Sequence, residues 1–366
     1  MKLLDRYMLS SLRGPIIYCL SAFCMIFLVS SLFGNLSRLL EAAPPLRDIL
    51  LYYLLQLLPT LEYLIPASLL LATLYTLWQL SRQNELAAMR ACGVSLYRTM
   101  VPLLAVGLVF TLVTALIKET AAPAAMVWTH EFYQNGFKRL EKDVRHDVAY
   151  YNTADNRLWL IGALDLKTPR VFQRAKVMQE RPDGTRAREW HTSKAEWLDG
   201  QWWFHDVAAR DYDEQDNPIG ELKPAAPEGG SVLEMSGFSE RPADIVNELR
   251  DWTYLSTAEM LRYLAAHPGL SEESRARKTY DVHARLAMPW ACFVVILFGI
   301  PTGARGARHS ALTGMFLAVA FFFLYYTLSQ TGLFLAKRQM LSPWIGAWLS
   351  NIVSLGAGIV MLVRMR

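Results

Sequence analysis

Leu80-Ser81-Arg82-Gln83-Asn84-Glu85-Leu86-Ala87-Ala88-Met89-Arg90-Ala91-Cys92-Gly93-Val94-Ser95-Leu96-Tyr97-Arg98 is a short basic stretch held between two long apolar runs. It is helix-competent: Ser81 is a candidate cap, Gly93 a candidate stop, and Leu86 and Met89 fall on one face. Periodicity alone leaves two readings. The stretch is either an ordinary loop lying on a membrane surface or an element through which a soluble partner moves the spans on either side.

Working outward, the apolar residues are clustered rather than evenly spread, and they make up 53% of the chain. A bilayer-spanning helix needs about 20 mostly apolar residues. Six such runs are read at residues 16–33, 49–79, 99–117, 286–303, 311–335 and 343–363. The second is long enough to tilt or break, and Pro59 and Pro66 are available to kink it. The first begins too deep, and lacks the small-residue cleavage site, to be read as a removable signal.

Basic residues give the orientation. Lys2, Arg6, Arg13, Arg82, Arg90, Arg98, Arg305, Arg308, Arg364 and Arg366 fall in the short segments on one side, against Arg38, Arg47, Lys337 and Arg338 on the other. That excess places both termini in the cytoplasm and the long middle segment outside. The net charge of +4 is no nucleic-acid signal, because the basic excess sits at membrane edges. Cys19, Cys24 and Cys292 lie in spans and Cys92 in the basic stretch, so neither a disulfide framework nor a cysteine metal site is indicated.

Residues 119–285 break the apolar pattern. All acidic residues except Asp5, Glu41, Asp48, Glu62 and Glu85 lie there, which makes this segment water-facing. Asp147-Val148-Ala149-Tyr150-Tyr151, Arg157-Leu158-Trp159-Leu160-Ile161, Val171-Phe172-Gln173-Arg174-Ala175-Lys176-Val177 and Gln201-Trp202-Trp203-Phe204-His205-Asp206-Val207 read as strands. Pro182-Asp183-Gly184 and Asp199-Gly200 read as turns between them. This spacing predicts an antiparallel sandwich or open barrel. Pro224-Ala225-Ala226-Pro227-Glu228-Gly229-Gly230 is a long turn. The segment leaves through helix: Ser256-Thr257-Ala258-Glu259 is a capping box, His267-Pro268-Gly269 a stop, and Ser271-Glu272-Glu273 a new start that runs through Arg285 into the fourth span.

Three blocks together resemble the LptF/LptG (YjgP/YjgQ) family of lipopolysaccharide-export permeases. The first is Asn84-Glu85-Leu86 with Met89-Arg90-Ala91-Cys92-Gly93-Val94-Ser95. The second is His283-Ala284-Arg285-Leu286-Ala287-Met288-Pro289, leading to Phe298-Gly299-Ile300-Pro301-Thr302-Gly303. The third is Leu341-Ser342-Pro343-Trp344-Ile345-Gly346-Ala347-Trp348-Leu349-Ser350-Asn351. Their order and spacing cover nearly the whole chain. The resemblance implies an α-helical integral membrane protein of six transmembrane helices with an inserted periplasmic antiparallel β-domain, jellyroll-like. The division expected is 1–118 (spans one to three, with a coupling helix at about 81–94), 119–255 (the β-domain), 256–285 (a helical connection) and 286–366 (spans four to six). It further implies a multi-pass inner-membrane subunit of an ABC transporter, with a cytoplasmic ATPase dimer, a second related permease, periplasmic bridge proteins and lipopolysaccharide as partners. Whether the chain is the F-type or the G-type partner stays open.

The resemblance makes Glu85 the ATPase contact of the coupling helix, with Arg82, Leu86, Met89 and Arg90 beside it. Arg82 and Arg90 also read as headgroup anchors. Arg38, Arg47, Lys118, Lys337 and Arg338 sit at the outer ends of spans, where they would hold the phosphates of an anionic glycolipid. Each alone also reads as a snorkelling side chain. Glu62 is an acid inside a span, read as functional or as having a pairing partner within the bundle, or instead as a cap on backbone freed by the flanking prolines.

No chemistry of the chain's own is indicated. Gly303-Ala304-Arg305-Gly306-Ala307-Arg308-His309-Ser310 lacks the Gly-Lys-Ser/Thr ending of a nucleotide loop and reads as a tight cytoplasmic turn. His130-Glu131 lacks a second histidine four residues on. No catalytic set, metal site or cofactor is expected. Two other classes compete with a permease: a membrane scaffold whose β-domain binds a partner, and an ion-coupled secondary transporter using Glu62.

Overall fold

The structure, a computed structural model, describes residues 3–138, 144–166, 168–225, 231–249, 251–267, 270–304 and 311–364. Of the turn expected at 303–310, Gly303 and Ala304 are instead the end of a helix and the rest, like most of the loop at 224–230 and the stop at Pro268-Gly269, falls outside those residues. The chain divides into two compact units, residues 1–138 with 271–366, and residues 139–270.

Among the described residues of the first unit, six helical stretches are long and apolar enough to cross a membrane. They are α1 (Leu3–Ala42), α2 (Leu46–Arg82), α4 (Leu96–Gln134), the pair α7 (Glu272–Ala287) and α8 (Ala291–Ala304), α9 (Ala311–Lys337) and α10 (Pro343–Val363). The short α3 (Glu85–Ala91) joins α2 to α4. The helices overrun the apolar runs. The clearest case is α4, which continues past residue 117 to Gln134 because aromatic packing takes over where hydropathy stops. Trp128 stacks on Phe132 with centroids 5.0 Å apart, and Phe132 lies 5.8 Å from Tyr52 of α2.

The core of this unit gathers Met8 and Leu12 from α1, Leu69, Leu70, Leu77 and Leu80 from α2, and Leu103 from α4. Cys292, Val295, Ile296 and Ile300 of α8 and Phe321 and Tyr325 of α9 complete it. Close approach depends on glycine. A Cβ on Gly299 would lie 3.2 Å from Thr73, and one on Gly303 would lie 2.9 Å from Leu77 Cβ, so a small-xxx-small face of α8 seats on α2. A Cβ on Gly346 of α10 would come within 2.6 Å of the Gly332 carbonyl of α9. Two of the three sequence blocks are thereby explained as packing surfaces.

Asn351 explains more of the third block. A 3-10 turn at Met288–Trp290 separates α7 from α8, and the Ala291 N–H bonds Met288 and Pro289 instead of the residue four back. The Ala287 carbonyl, released from its helical partner, accepts from Asn351 Nδ2 at 2.7 Å. Asn351 Oδ1 in turn accepts from the Tyr325 hydroxyl at 2.8 Å. One buried amide satisfies a broken helix and ties α7, α9 and α10 together.

Among its described residues the second unit carries eight antiparallel strands: β1 (Val144–Asn152), β2 (Arg157–Asp165), β3 (Val171–Glu180), β4 (Arg186–Leu198), β5 (Gln201–His205), β6 (Ala208–Tyr212), β7 (Pro218–Pro224) and β8 (Val232–Met235). The order is β1-β2-β3-β4-β5-β8. The long β4 is shared, giving one half to β5 and the other to β6, which pairs β7. All four predicted strands and both predicted turns fall where the sequence puts them; Asp199 and Gly200 both take positive φ between β4 and β5. Pairing places Tyr150, Trp159, Val177 and Trp190 in one row across the sheet. Arg174, at φ +53, interrupts this alternation, so Phe172 and Ala175 both face the core.

The core face is filled by Trp159, Phe172, Trp202 and Phe204 and is covered by Phe238 and by Ile245 and Val246 of α5 (Pro242–Leu249). A buried ion pair pins that cover. Arg157 Nη1 lies 2.7 Å from Glu240 Oε2, and the Glu240 side chain is 0% exposed. Asn152 Nδ2 donates to Glu240 at 3.0 Å, Trp202 Nε1 donates to its carbonyl at 2.7 Å, and Arg157 lies 4.0 Å over the Phe238 ring. The capping box of Ser256 and Glu259 opens α6 (Thr257–Ala266) as expected.

On the opposite face, Glu189 is 1% exposed and accepts from Lys176 Nζ and the Tyr212 hydroxyl, both at 2.8 Å, with His191 alongside. Burial pushes its carboxyl upward, but hydrogen bonds from Lys176, His191 and Tyr212 and the Lys176 charge prevail, holding it at about 2 against an ordinary 4.5. Because the folded value is depressed, the stability Glu189 contributes is complete above pH 4.5 and is lost as pH falls toward 2. Hydrogen exchange of β4 amides in the full chain should therefore accelerate through that window. Glu189→Gln should flatten the dependence, and an unchanged pH profile in that variant would remove Glu189 as its source.

Candidate functional site

The basic stretch folds differently from its sequence expectation at one end. Ser81 does not cap: α2 continues to Arg82 because Leu77 and Leu80 keep packing into the core, and the chain reverses at Gln83 and Asn84. Asn84, in the left-handed region at φ 60, then opens α3. Gly93, at φ 80, ends the segment as predicted, and Ser95 caps α4 by accepting from the Arg98 N–H. Leu86 is buried, with Met89 packed against the same core, so the predicted shared face is the one α3 buries. Arg82 lies 5.2 Å over the Trp78 ring, and Arg90 is exposed.

Glu85 has a partner that sequence reading missed. The Tyr7 hydroxyl of α1 donates to Glu85 Oε2 at 2.6 Å. Two residues earlier on α1, Asp5 accepts from Arg98 Nη2 at 2.9 Å. Asp5 and Tyr7 looked like routine polar residues before a span. The available signal was an acid inside an otherwise basic terminus.

A groove of about 790 Å³ opens among α1, α2 and α9. Phe23, Ala67, Leu71, Ala318, Val319, Phe322, Phe323 and Tyr326 line it, with Thr327 and Gln330 as its polar residues. Nothing in the one-dimensional pattern separates these side chains from other apolar residues of the same spans. Outside the groove, Ile17, Tyr18, Met25, Ile26 and Phe33 of α1 and Phe316 and Leu324 of α9 are largely exposed. A surface so apolar matches hydrocarbon, not water.

The rim cations separate into distinct settings. Arg38, near the end of α1, is exposed and lies 4.7 Å over the Tyr133 ring of α4, while Arg47 is exposed in the first turn of α2. Lys337 and Arg338 end α9, with Arg338 4.5 Å over Phe334. A guanidinium stacked on a ring is oriented by that ring while its N–H donors lie in its own plane, the geometry that phosphate recognition uses.

Lys118 departs from the expectation of a rim cation. It is mostly buried and forms an ion pair with Glu62 of α2, their side chains 17% and 16% exposed. Glu62 therefore answers a charge from another span; the alternative, that it caps backbone freed by Pro59 and Pro66, gives way to the ion pair. Arg285 of α7 donates to the Lys118 carbonyl at 3.0 Å and lies 3.8 Å from Glu119, which brings the second sequence block onto the same junction.

Among the described residues, no three His, Cys, Asp or Glu side chains converge to hold a metal. What the arrangement can do is mechanical and amphiphilic: a short helix between two spans seated on the core, an apolar groove, and basic residues at span ends. No curated protein matches the chain. A family model described as "Lipopolysaccharide export system permease LptF/LptG" matches residues 6–364, and the chain, a transport subunit without catalysis of its own, belongs to that family of multi-pass inner-membrane permeases.

Proposed function

We propose that this chain is one of two permeases of an ABC transporter that extracts lipopolysaccharide from the inner membrane and passes it to a periplasmic bridge. A dimeric cytoplasmic ATPase supplies the energy by seating on residues 81–94, with Glu85 as its principal contact. The β-domain lies in the periplasm and both termini lie in the cytoplasm, in keeping with the basic asymmetry of the loops. The observation that carries the reading is the joint presence, in a chain of this family, of an apolar groove on α1, α2 and α9 and a cytoplasmic α3 seated on the same core.

Acyl chains occupy the groove, and Arg38, Arg47, Lys337 and Arg338 hold the phosphates at its outer boundary. Lys118 is assigned to the Glu62 pair instead. Extraction has to be driven, because each buried CH₂ of a lipid chain contributes about 0.8 kcal/mol to membrane retention.

The test is reconstitution of the permease pair with its ATPase in liposomes carrying lipopolysaccharide. Release to a soluble acceptor should require ATP hydrolysis and be indifferent to an ion gradient. Gradient-driven release without ATP would favour a secondary transporter, and no release under either condition would favour a scaffold.

A further inference from the structure

The cytoplasmic end of α1 touches the α2–α4 connection at two points on either side of α3. At the first residue of α3, the Tyr7 hydroxyl donates to Glu85. Beyond its last residue, in the first turn of α4, Arg98 is held by Asp5. Beside these contacts Met8 is fully buried, and Met8 and Leu12 share a core with Leu86, Leu80 and Met100. The grip is both polar and apolar, so α3 cannot shift without either carrying this end of α1 or breaking both polar contacts.

From that end α1 runs as a single helix of 40 residues to Ala42. Its middle is sparsely held, with only 6% of its most apolar window buried. It is fastened again further along, where Ser31 donates to Gln56 of α2 at 2.9 Å and Arg38 lies over Tyr133. Phe23, in the loosely held stretch, is a wall of the apolar groove. A helix fixed at both ends and free between them transmits displacement at one end into its middle, since intrahelical hydrogen bonds resist axial compression.

The Tyr7 contact also bears on Glu85 itself. A phenol donating to a carboxylate fixes the rotamer of that carboxylate and occupies part of one oxygen, leaving the rest for a cationic donor from outside. Glu85 is thus able to engage an ATPase and α1 at once.

We propose that Tyr7 and Asp5 are positioning residues that make α1 a push-rod, carrying displacement of α3 to the wall of the groove at Phe23. The proposal rests on the reading of Glu85 as the ATPase contact and goes beyond it by naming what Glu85 moves. Tyr7→Phe removes one hydroxyl from a partly exposed ring, and Asp5→Ala removes the carboxylate that accepts from Arg98, so the double variant tests both polar contacts of the grip.

The experiment uses the assembled transporter, with three readouts: ATPase co-purification, lipopolysaccharide released per ATP hydrolysed, and the distance between spin labels at Ile17 and Leu112 with and without a non-hydrolysable ATP analogue. In the double variant the ATPase should stay bound while lipid released per ATP falls about tenfold, the scale of losing a hydrogen bond to a charged acceptor. The nucleotide-dependent change in label distance should also vanish. Glu85→Gln, which still accepts from Tyr7, should keep the distance change in whatever fraction of complexes retains the ATPase. Parent-level lipid yield per ATP in the double variant would overturn the proposal. So would loss of the ATPase in that variant, which would make Tyr7 part of docking instead of transmission. If Glu85→Lys leaves both docking and transport intact, it is the underlying reading of Glu85 that fails, an outcome distinct from either of these.

Discussion

Replacing Glu85 by lysine is expected to abolish ATP-driven lipopolysaccharide release while leaving a folded permease in the membrane. The side chain is only partly buried, and among the described residues its hydrogen-bond partner is the Tyr7 hydroxyl. Substitutions at such positions shift stability by roughly 0.5 kcal/mol or less. The effect on association is of another order. Reversing a charge at a contact between charged groups removes an attraction and adds a repulsion, together about 2–5 kcal/mol, or thirtyfold to several-thousandfold in affinity. Co-purification of the ATPase with the Lys variant, normalised to permease, reads this directly. Wild-type recovery together with wild-type release would end the assignment of Glu85 as the coupling contact.

The second large effect is expected in the β-domain. Glu240→Ala leaves Arg157 buried beside Phe238 with its counter-ion gone. Breaking a buried pair from one side costs about 3–5 kcal/mol, a substantial share of the roughly 5–15 kcal/mol that holds a domain together. Hydrogen exchange of β2 amides in the full chain should accelerate a hundredfold or more. Glu240→Gln, which keeps an acceptor for Arg157 and Asn152, should lose less. Converting the pair together, Arg157→Met with Glu240→Leu, should recover much of the loss, because the penalty comes from the stranded charge. Exchange at the parent rate in Glu240→Ala would show that segment 237–246 closes the sheet without the ion pair.

The apolar runs announced the spans because a bilayer imposes a length and a composition that single residues rarely satisfy by accident. The strands announced themselves through alternation and through turns such as Asp199-Gly200, where positive φ is needed. Helix ends were less legible. Lys118, Glu119, His130 and Glu131 end the hydropathy signal of α4 long before the helix stops, since what sustains it is Tyr52 on a distant part of the chain. Ser81 looked like a cap by residue type, but tertiary packing of Leu77 and Leu80 carried α2 through it.

The candidate site divides along the same line. Glu85 stood out through its local block, and the buried face of Leu86 and Met89 followed from spacing. Tyr7, Asp5 and the Lys118 partner of Glu62 did not, because each is defined by a contact with a remote residue. The groove is the extreme case. Its lining residues are ordinary span residues until three helices bring them together.

The Glu62–Lys118 pair also constrains how the chain is made. Both residues sit near the middle of their helices, and α2 is complete before the segment carrying Lys118 has been synthesised. A lone charge within a span is costly during insertion, up to about 2.5–3.5 kcal/mol at the helix centre, and α4 brings the charge that answers it. The two helices are thus best released into lipid together, as a hairpin, and a ribosome stalled between them would leave α2 beside the insertion machinery. Biogenesis of the first half of the bundle is in this sense cooperative.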